Sequence, residues 1–272
     1  MQVTRSFAVF AIAVFLSSPS FAFASEAEQV IEQILTITPR DDLSISMSEK
    51  AREAALEEAA YTYGARYGNY WRSRQIADRV ARYSRQLEIF SFDTVMLEDS
   101  GYQIQPPVAS ITRDAFKISE DGQSLATAKE VINILDHGKL VTAVPSWETY
   151  LEFSVEEPET PPSAVFPTTD DERIKWEHWI RAGFKDGIEQ ADYVFEDKLE
   201  QLLTDFTGMI TWQVLYAEGK ATRPEVIVNT TAVSGGGKTM RIGESVISIT
   251  DPSKLNPIVQ DWAPIIVENR ND

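Results

Sequence analysis

Two proline-free runs constrain this chain more than any other feature. Thirteen prolines are scattered through its 272 residues, yet none falls in residues 49–90 or 170–217. Runs of that length without a breaker predict two long helices. The first opens at Ser46-Met47-Ser48-Glu49, which resembles a capping box, and continues through "EKAREAALEEAAYTYGARYG", rich in good helix formers. The second, Asp170 to about Ala217, begins with acids that suit a helix N-terminus. Small residues recur four apart on both: Ala60, Gly64 and Gly68 on the first, Gly183, Gly187 and Ala191 on the second. Four-residue spacing puts each set on one face. Two readings follow. The helices cross closely with Gly64, Gly68, Gly183 and Gly187 facing one another, or each glycine makes room for a neighbouring Trp or Tyr.

Between and after the helices the pattern changes to strand. Val108–Ser119 and Lys129–Pro145 carry β-branched residues in rough alternation, with turn signals at Asp121-Gly122 and Asp136-His137-Gly138. We read them as strands, the second stretch as a hairpin. Ser146–Leu151 reads as a helical turn, and Val155–Asp171, with four prolines, as an extended surface loop. Pro224–Val233 and Lys238–Thr250 alternate and read as two further strands.

The N-terminus predicts export. Arg5 precedes the ten-residue apolar run Phe7–Leu16, and Ala22-Phe23-Ala24 is a small-x-small site that would leave Ser25 as the new N-terminus. Ten residues make a helix of about 15 Å, short of a hydrocarbon core of roughly 30 Å. Residues 25–47 then form a polar arm with one helical patch, Glu26–Leu35. The net charge of −17 becomes −18 after cleavage, because residues 1–24 hold one basic and no acidic side chain. That field disfavours nucleic acid and anionic lipid, and favours solubility and a basic partner. With no cysteine, the chain has neither disulfides nor a lipid-modifiable residue after the cut.

"AVSGGGKT", Ala232–Thr239, fits a relaxed phosphate-binding loop, with Ala232 where the strict pattern has Gly. Such a loop works by opening a helix whose N-terminal amides hold phosphate. Here it joins two strands, so Gly235, Gly236 and Gly237 are read as a hairpin turn, with no nucleotide bound. His137 and His178 are the only histidines, and neither stands in a metal-binding motif. No nucleophile motif occurs, and picking one carboxylate pair from 42 acids has no basis. We therefore expect no catalytic residues, metal or cofactor. One cluster opposes the chain's sign: Arg66, Arg72, Arg74, Arg79, Arg82 and Arg85, interleaved with Tyr67, Tyr70, Trp71 and Tyr83. It either pairs internally with the acid excess or forms a partner surface, since Arg and aromatics are enriched at interfaces.

The order of these features resembles one known family. "AREAALEEAAYTYGARYG" runs into "FSFDTVML" and "PPV"; then come "PSWETYL", a Pro-rich loop, "GFKDGIEQADYVFEDKLEQLLTDFTGMITW", "GKATRPEV", the "VSGGG" loop and "SVISIT". Over roughly residues 48–265 this is similar to the DotC family, outer-membrane core components of type IVB secretion systems and related conjugation machines. The resemblance implies a non-enzymatic, ring-forming structural part in the periplasm that assembles with DotD- and DotH-like proteins. Well-known members are lipoproteins. Lacking that Cys, this chain would reach the outer membrane indirectly, through partners.

The expectation is a mixed α+β fold after a signal peptide (1–24) and an arm (25–47): a single domain, 48–272, of two long helices packed with two small, mostly antiparallel sheets from residues 108–145 and 224–250. Two other function classes stay open: a free periplasmic binding or scaffold protein for a basic ligand, and an envelope hydrolase using a carboxylate pair.

Overall fold

The computed structural model describes residues 20–37, 48–99, 101–118, 121, 123–152 and 156–262. The apolar run of the expected signal and residues 38–47 of the expected arm lie outside them. The chain is a mixed α+β protein. Its helices are α1 (Ser20–Leu35), α2 (Glu49–Arg82), α3 (Ser84–Leu87), α4 (Trp147–Leu151) and α5 (Asp170–Ala217). Its strands are β1 (Leu97–Asp99), β2 (Tyr102–Gln105), β3 (Val108–Ile118), β4 (Leu125–Asp136), β5 (Lys139–Val141), β6 (Glu225–Gly236) and β7 (Thr239–Asp251).

Where one domain is expected over 48–272, the chain divides into two compact units, with α5 contributing to both. The first holds the described residues up to Leu87 together with Tyr150–Glu200; the second holds Glu88–Thr149 and the chain from Gln201 onward.

In the first unit α2 and α5 lie side by side and run in the same direction. The contacts between them keep a nearly constant offset. Arg52 Nε donates to Glu172 Oε1 (2.7 Å), Lys175 pairs with Glu53, Tyr61 Oη donates to Asp186 Oδ2 (2.6 Å), and Arg72 Nε donates to Asp192 Oδ1 (2.6 Å). The glycines explain how close the helices come. A methyl group on Gly64 would run into the carbonyl oxygen of Ile180, and one on Gly68 into that of Phe184. On the other side, Gly183 would meet the carbonyl of Tyr61, and Gly187 that of Ala65. What faces the glycines is therefore helix backbone rather than Trp or Tyr side chains. Around this seam Leu56, Ala60, Tyr63, Trp176, Ile180 and Phe184 form the core.

Helix α1 completes that core. The predicted helical patch begins at Glu26, but the helix begins at Ser20, and Ile31 and Ile34 are buried against α2 and α5 residues. Within residues 25–37 the expected arm is thus a packed element, because Ile31 and Ile34 lie three apart on one face of α1 and bury against the core. Arg181 ties it down, reaching Glu28 (2.8 Å), Glu32 (3.3 Å) and Glu177 (2.9 Å). The expected cleavage point after Ala24 falls inside α1. On its upstream side Phe23 touches the Trp71 ring (5.2 Å between centroids).

The second long helix starts at Asp170 with acids in its first turn, as expected, while the cap of the first differs. Ser48, not Ser46, is the N-cap of α2, and its side chain makes no capping bond. At α5 the capping box is complete: Glu172 N donates to Thr169 Oγ1 (3.2 Å), while Glu172 Oε2 accepts from the amides of Thr168 (2.7 Å) and Thr169 (3.4 Å). Arg52 adds bonds to the carbonyls of Ala164 (3.2 Å) and Phe166 (3.0 Å), fastening the proline-rich segment to α2.

The second unit contains three antiparallel sheets, one more than expected. β1-β2-β5 form a small sheet; β3 pairs with β4, and β6 with β7. The added sheet escapes prediction because β1, β2 and β5 are three or four residues long, too short to show alternation. The expected hairpin within Lys129–Pro145 is corrected as well. Asp136-His137-Gly138 does not fold β5 back on β4; the chain leaves one sheet there and enters another, β5 pairing with β2. The hairpin turn lies earlier, between Ile118 and Leu125. Ala109, Trp212, Leu215 and Ala221 form the core of this unit, with the fully buried Trp212 Nε1 donating to the equally buried Ser253 Oγ (2.8 Å).

Two measurements test this account. Gly187→Leu should lower the free energy of unfolding by at least about 3 kcal/mol, because rigid backbone stands in the way. Gly236→Ala, with open space around it, should change it by no more than about 0.5 kcal/mol; urea titration reads both. The bonds from Arg52 and Thr168 lower the pKa of Glu172 from 4.5 to about 2. A depressed carboxylate stabilises above its unfolded pKa and loses that contribution as pH falls through the folded one. Stability should therefore decline between pH 4.5 and 2, and Glu172→Gln should flatten that part of the profile.

Candidate functional site

The features singled out in the sequence separate into inward and outward groups. Arg72 is buried, 6% exposed, and this corrects its place in the expected partner surface. The close approach at Gly68 and Gly187 brings Asp192 within reach, and Arg72 also donates to Gln75 Oε1 (3.2 Å) and lies over the Phe23 ring (5.0 Å). A guanidinium with an ion pair, a hydrogen bond and an aromatic face is internally satisfied.

Arg66, Arg74, Arg82 and Arg85 are exposed, and Arg79 is half-buried. Arg74 Nη1 donates to Tyr70 Oη (3.1 Å), and Arg82 Nε donates to the Asp78 carbonyl (3.3 Å). Burial lowers the Arg79 pKa, and the neighbouring charges of Arg72 and Arg82 lower it further. Four cations thus stand on the outer side of α2 and α3 in a chain whose net charge is −17.

A cleft of about 280 Å³ opens at the start of both long helices, lined by Glu49, Arg52, Glu53, Leu56, Glu172 and Lys175 among others. Its two cations are each engaged by a carboxylate: Arg52 by Glu172, Lys175 by Glu53. Their placement holds α2 beside α5. His137 and His178 are both exposed. Among the described residues no group of three or more His, Asp or Glu is placed to hold a metal ion, and no helix is long and apolar enough to cross a membrane.

The glycine loop caps the β6–β7 hairpin. Gly236 pairs with Thr239, so Gly237 and Lys238 make a two-residue turn, with Gly237 at φ +69°. Positive φ at the first central position is what such a turn requires of glycine. Gly235, at φ +98°, has the carbonyl of Thr239 where a side chain would go. The loop's amides open no helix, so the arrangement that would cradle a phosphate is missing here.

Sequence patterns did not reveal how far both long hairpins extend without burial. No residue from Val226 to Gly243 is buried, and Val233, Met240 and Ile242 are 56%, 64% and 74% exposed. On β3–β4, Phe116 and Leu125 are 70% and 61% exposed. Alternation in a strand normally signals one buried face. Here that face lacks a cover among the described residues.

The inward and outward arginines should separate on mutation. Arg72→Met should cost about 2 kcal/mol by leaving Asp192 unpaired. Arg74→Glu, Arg82→Glu and Arg85→Glu should each shift stability by no more than about 0.5 kcal/mol, as read by thermal or urea unfolding. No curated protein matches the chain. A family model does: T4SS_TraI, described as "Type IV secretory system, conjugal DNA-protein transfer", matches residues 50–264, about four fifths of the sequence, and the chain belongs to that family of type IV secretion components.

Proposed function

We propose that this chain is a structural subunit of the outer-membrane core complex of a type IVB secretion or conjugation machine. It sits on the periplasmic side and carries no turnover chemistry of its own. The family match over residues 50–264 supports the type IV secretion part of this reading, since it spans both compact units and both exposed hairpins. The order of motifs that resembles DotC supplies the finer part: assembly with DotD- and DotH-like proteins into a ring-like oligomer, and attachment to the outer membrane through those partners. Two features of the molecule support an assembling role. Both cations lining its cleft are engaged by internal carboxylates, and Arg66, Arg74, Arg82, Arg85 and the apolar strand faces are exposed.

Affinity purification of the C-terminally tagged chain from mild-detergent extracts of the source envelope tests the proposal. It should recover a megadalton-scale particle containing DotD- and DotH-like proteins by mass spectrometry. Recovery of the chain alone, as a free periplasmic monomer, would contradict it and favour a binding protein for a basic ligand.

A further inference from the structure

The outer faces of α2 and α5 carry one pattern with its charges reversed. On each helix a run of buried residues four apart marks the side turned inward: Gly64, Gly68, Arg72, Ile76 and Val80 on α2, and Gly183, Gly187, Ala191, Phe195 and Leu199 on α5. Two residues further on, about 200° round the helix, lies the opposite side. On α2 that side carries Arg66, Tyr70, Arg74 and Asp78; on α5 it carries Lys185, Glu189, Tyr193 and Asp197. All are exposed except the half-buried Tyr70, and Tyr193 is 70% exposed. Both stripes belong to the first compact unit.

From N to C the α2 stripe runs cation, tyrosine, cation, acid. From C to N the α5 stripe runs acid, tyrosine, acid, cation, with the same step of four residues, about 6 Å. Laid antiparallel with Tyr70 against Tyr193, Arg66 meets Asp197, Arg74 meets Glu189 and Asp78 meets Lys185. One step further Arg82 comes to Arg181, which already stands among Glu28, Glu32 and Glu177 and so in a net acidic neighbourhood. Laid parallel with the tyrosines again opposed, Asp78 meets Gln201 and Lys185 meets Thr62, and both lose a counter-charge.

Within one copy the stripes cannot meet, since each is turned away from the glycine seam that joins their helices. Their contacts there are local: Arg74 Nη1 donates to Tyr70 Oη, and Lys185 pairs with Glu189 (3.6 Å). Among the described residues the side chains of Arg66 and Asp197 have no ion pair, although the chain holds 42 acids.

From this sign-for-sign complementarity we infer that the Arg66–Asp78 stripe of α2 docks antiparallel on the Lys185–Asp197 stripe of α5 in a second copy of this chain. The two surfaces are different, so the contact is head-to-tail, and its repetition closes a ring when the rotation permits. Exposed ion pairs are individually weak and screened by salt, so the contact belongs in an assembly that keeps copies at high local concentration. It rests on the reading of the chain as an assembling subunit, and names the faces that neighbouring copies share.

A photo-crosslinking residue, p-benzoylphenylalanine, in place of Tyr193 of the full-length chain in source cells tests it. Irradiation should join two copies through a peptide between Arg66 and Asp78. Arg66→Glu in the same chain should cut the adduct yield on the order of tenfold, since it sets two carboxylates opposite each other. Adding Asp197→Arg should restore the yield, and adding Glu189→Arg instead should not. Restoration by the swapped charge separates lost pairing from a folding defect. No adduct, an adduct with a different protein or with lipid, two copies joined elsewhere, indifference to Arg66→Glu, or restoration by Glu189→Arg rather than Asp197→Arg would overturn the inference. The outcome is separable from the purification experiment. A two-copy adduct without DotD- and DotH-like proteins would leave this contact standing while removing the core-complex assignment; a particle containing those proteins but giving no adduct would do the reverse.

Discussion

Backbone against backbone is the contact on which the first unit is built. Gly64 and Gly68 of α2 meet the carbonyls of Ile180 and Phe184, and Gly183 and Gly187 of α5 meet those of Tyr61 and Ala65. Helices this close cannot shift relative to one another without a side chain entering the seam, because interiors at crystal-like density have no slack to absorb it. The polar contacts then follow from the register. Once the glycines set the offset, Arg52 faces Glu172, Glu53 faces Lys175, and Arg72 faces Asp192. These cross-helix pairs also offset the like-oriented dipoles of two parallel helices, a modest penalty confined to their ends.

Much of this was legible in the sequence, for a physical reason. Proline-free length and four-residue spacing are local signals, and they located both ends of α5, the start of α2 and the facing glycines; α2 itself ends at Arg82, eight residues short of the proline-free run. The glycine loop was also readable, since a strand on each side leaves no helix for phosphate to dock against. Direction was not readable: four-residue spacing is the same for parallel and antiparallel neighbours, so the parallel arrangement emerges only from the contacts. Arg72 was misplaced for a related reason. Its partner, Asp192, lies 120 positions away, beyond the reach of any local spacing signal. The small β1-β2-β5 sheet was missed because its strands are too short to alternate, and Asp136-His137-Gly138 looks the same whether the chain turns back or moves on to another sheet.

The division of labour between the units fits a part made for assembly. The first unit ties its own elements together through charge, with Arg181 fastening α1 and Arg52 fastening the proline-rich segment. The second keeps a small core around Trp212 and extends two hairpins whose apolar faces remain open. A net charge of −17 favours solubility of such a molecule. Membership in a type IV secretion family gives those open faces a context, since subunits of large machines are completed by what surrounds them.

The direction of the helix pair is the claim from which the rest follows, and the absence of cysteine makes it easy to test. Two thiols introduced at chosen sites are the only ones in the chain. A short bismaleimide should join Glu53→Cys to Lys175→Cys within one molecule in high yield, because those side chains meet. The same reagent should fail on Glu53→Cys with Asp197→Cys, since 22 residues of helix place Asp197 about 33 Å further along α5. Efficient joining of the second pair and not the first would mean that the helices run antiparallel, and the glycine seam described here would be wrong.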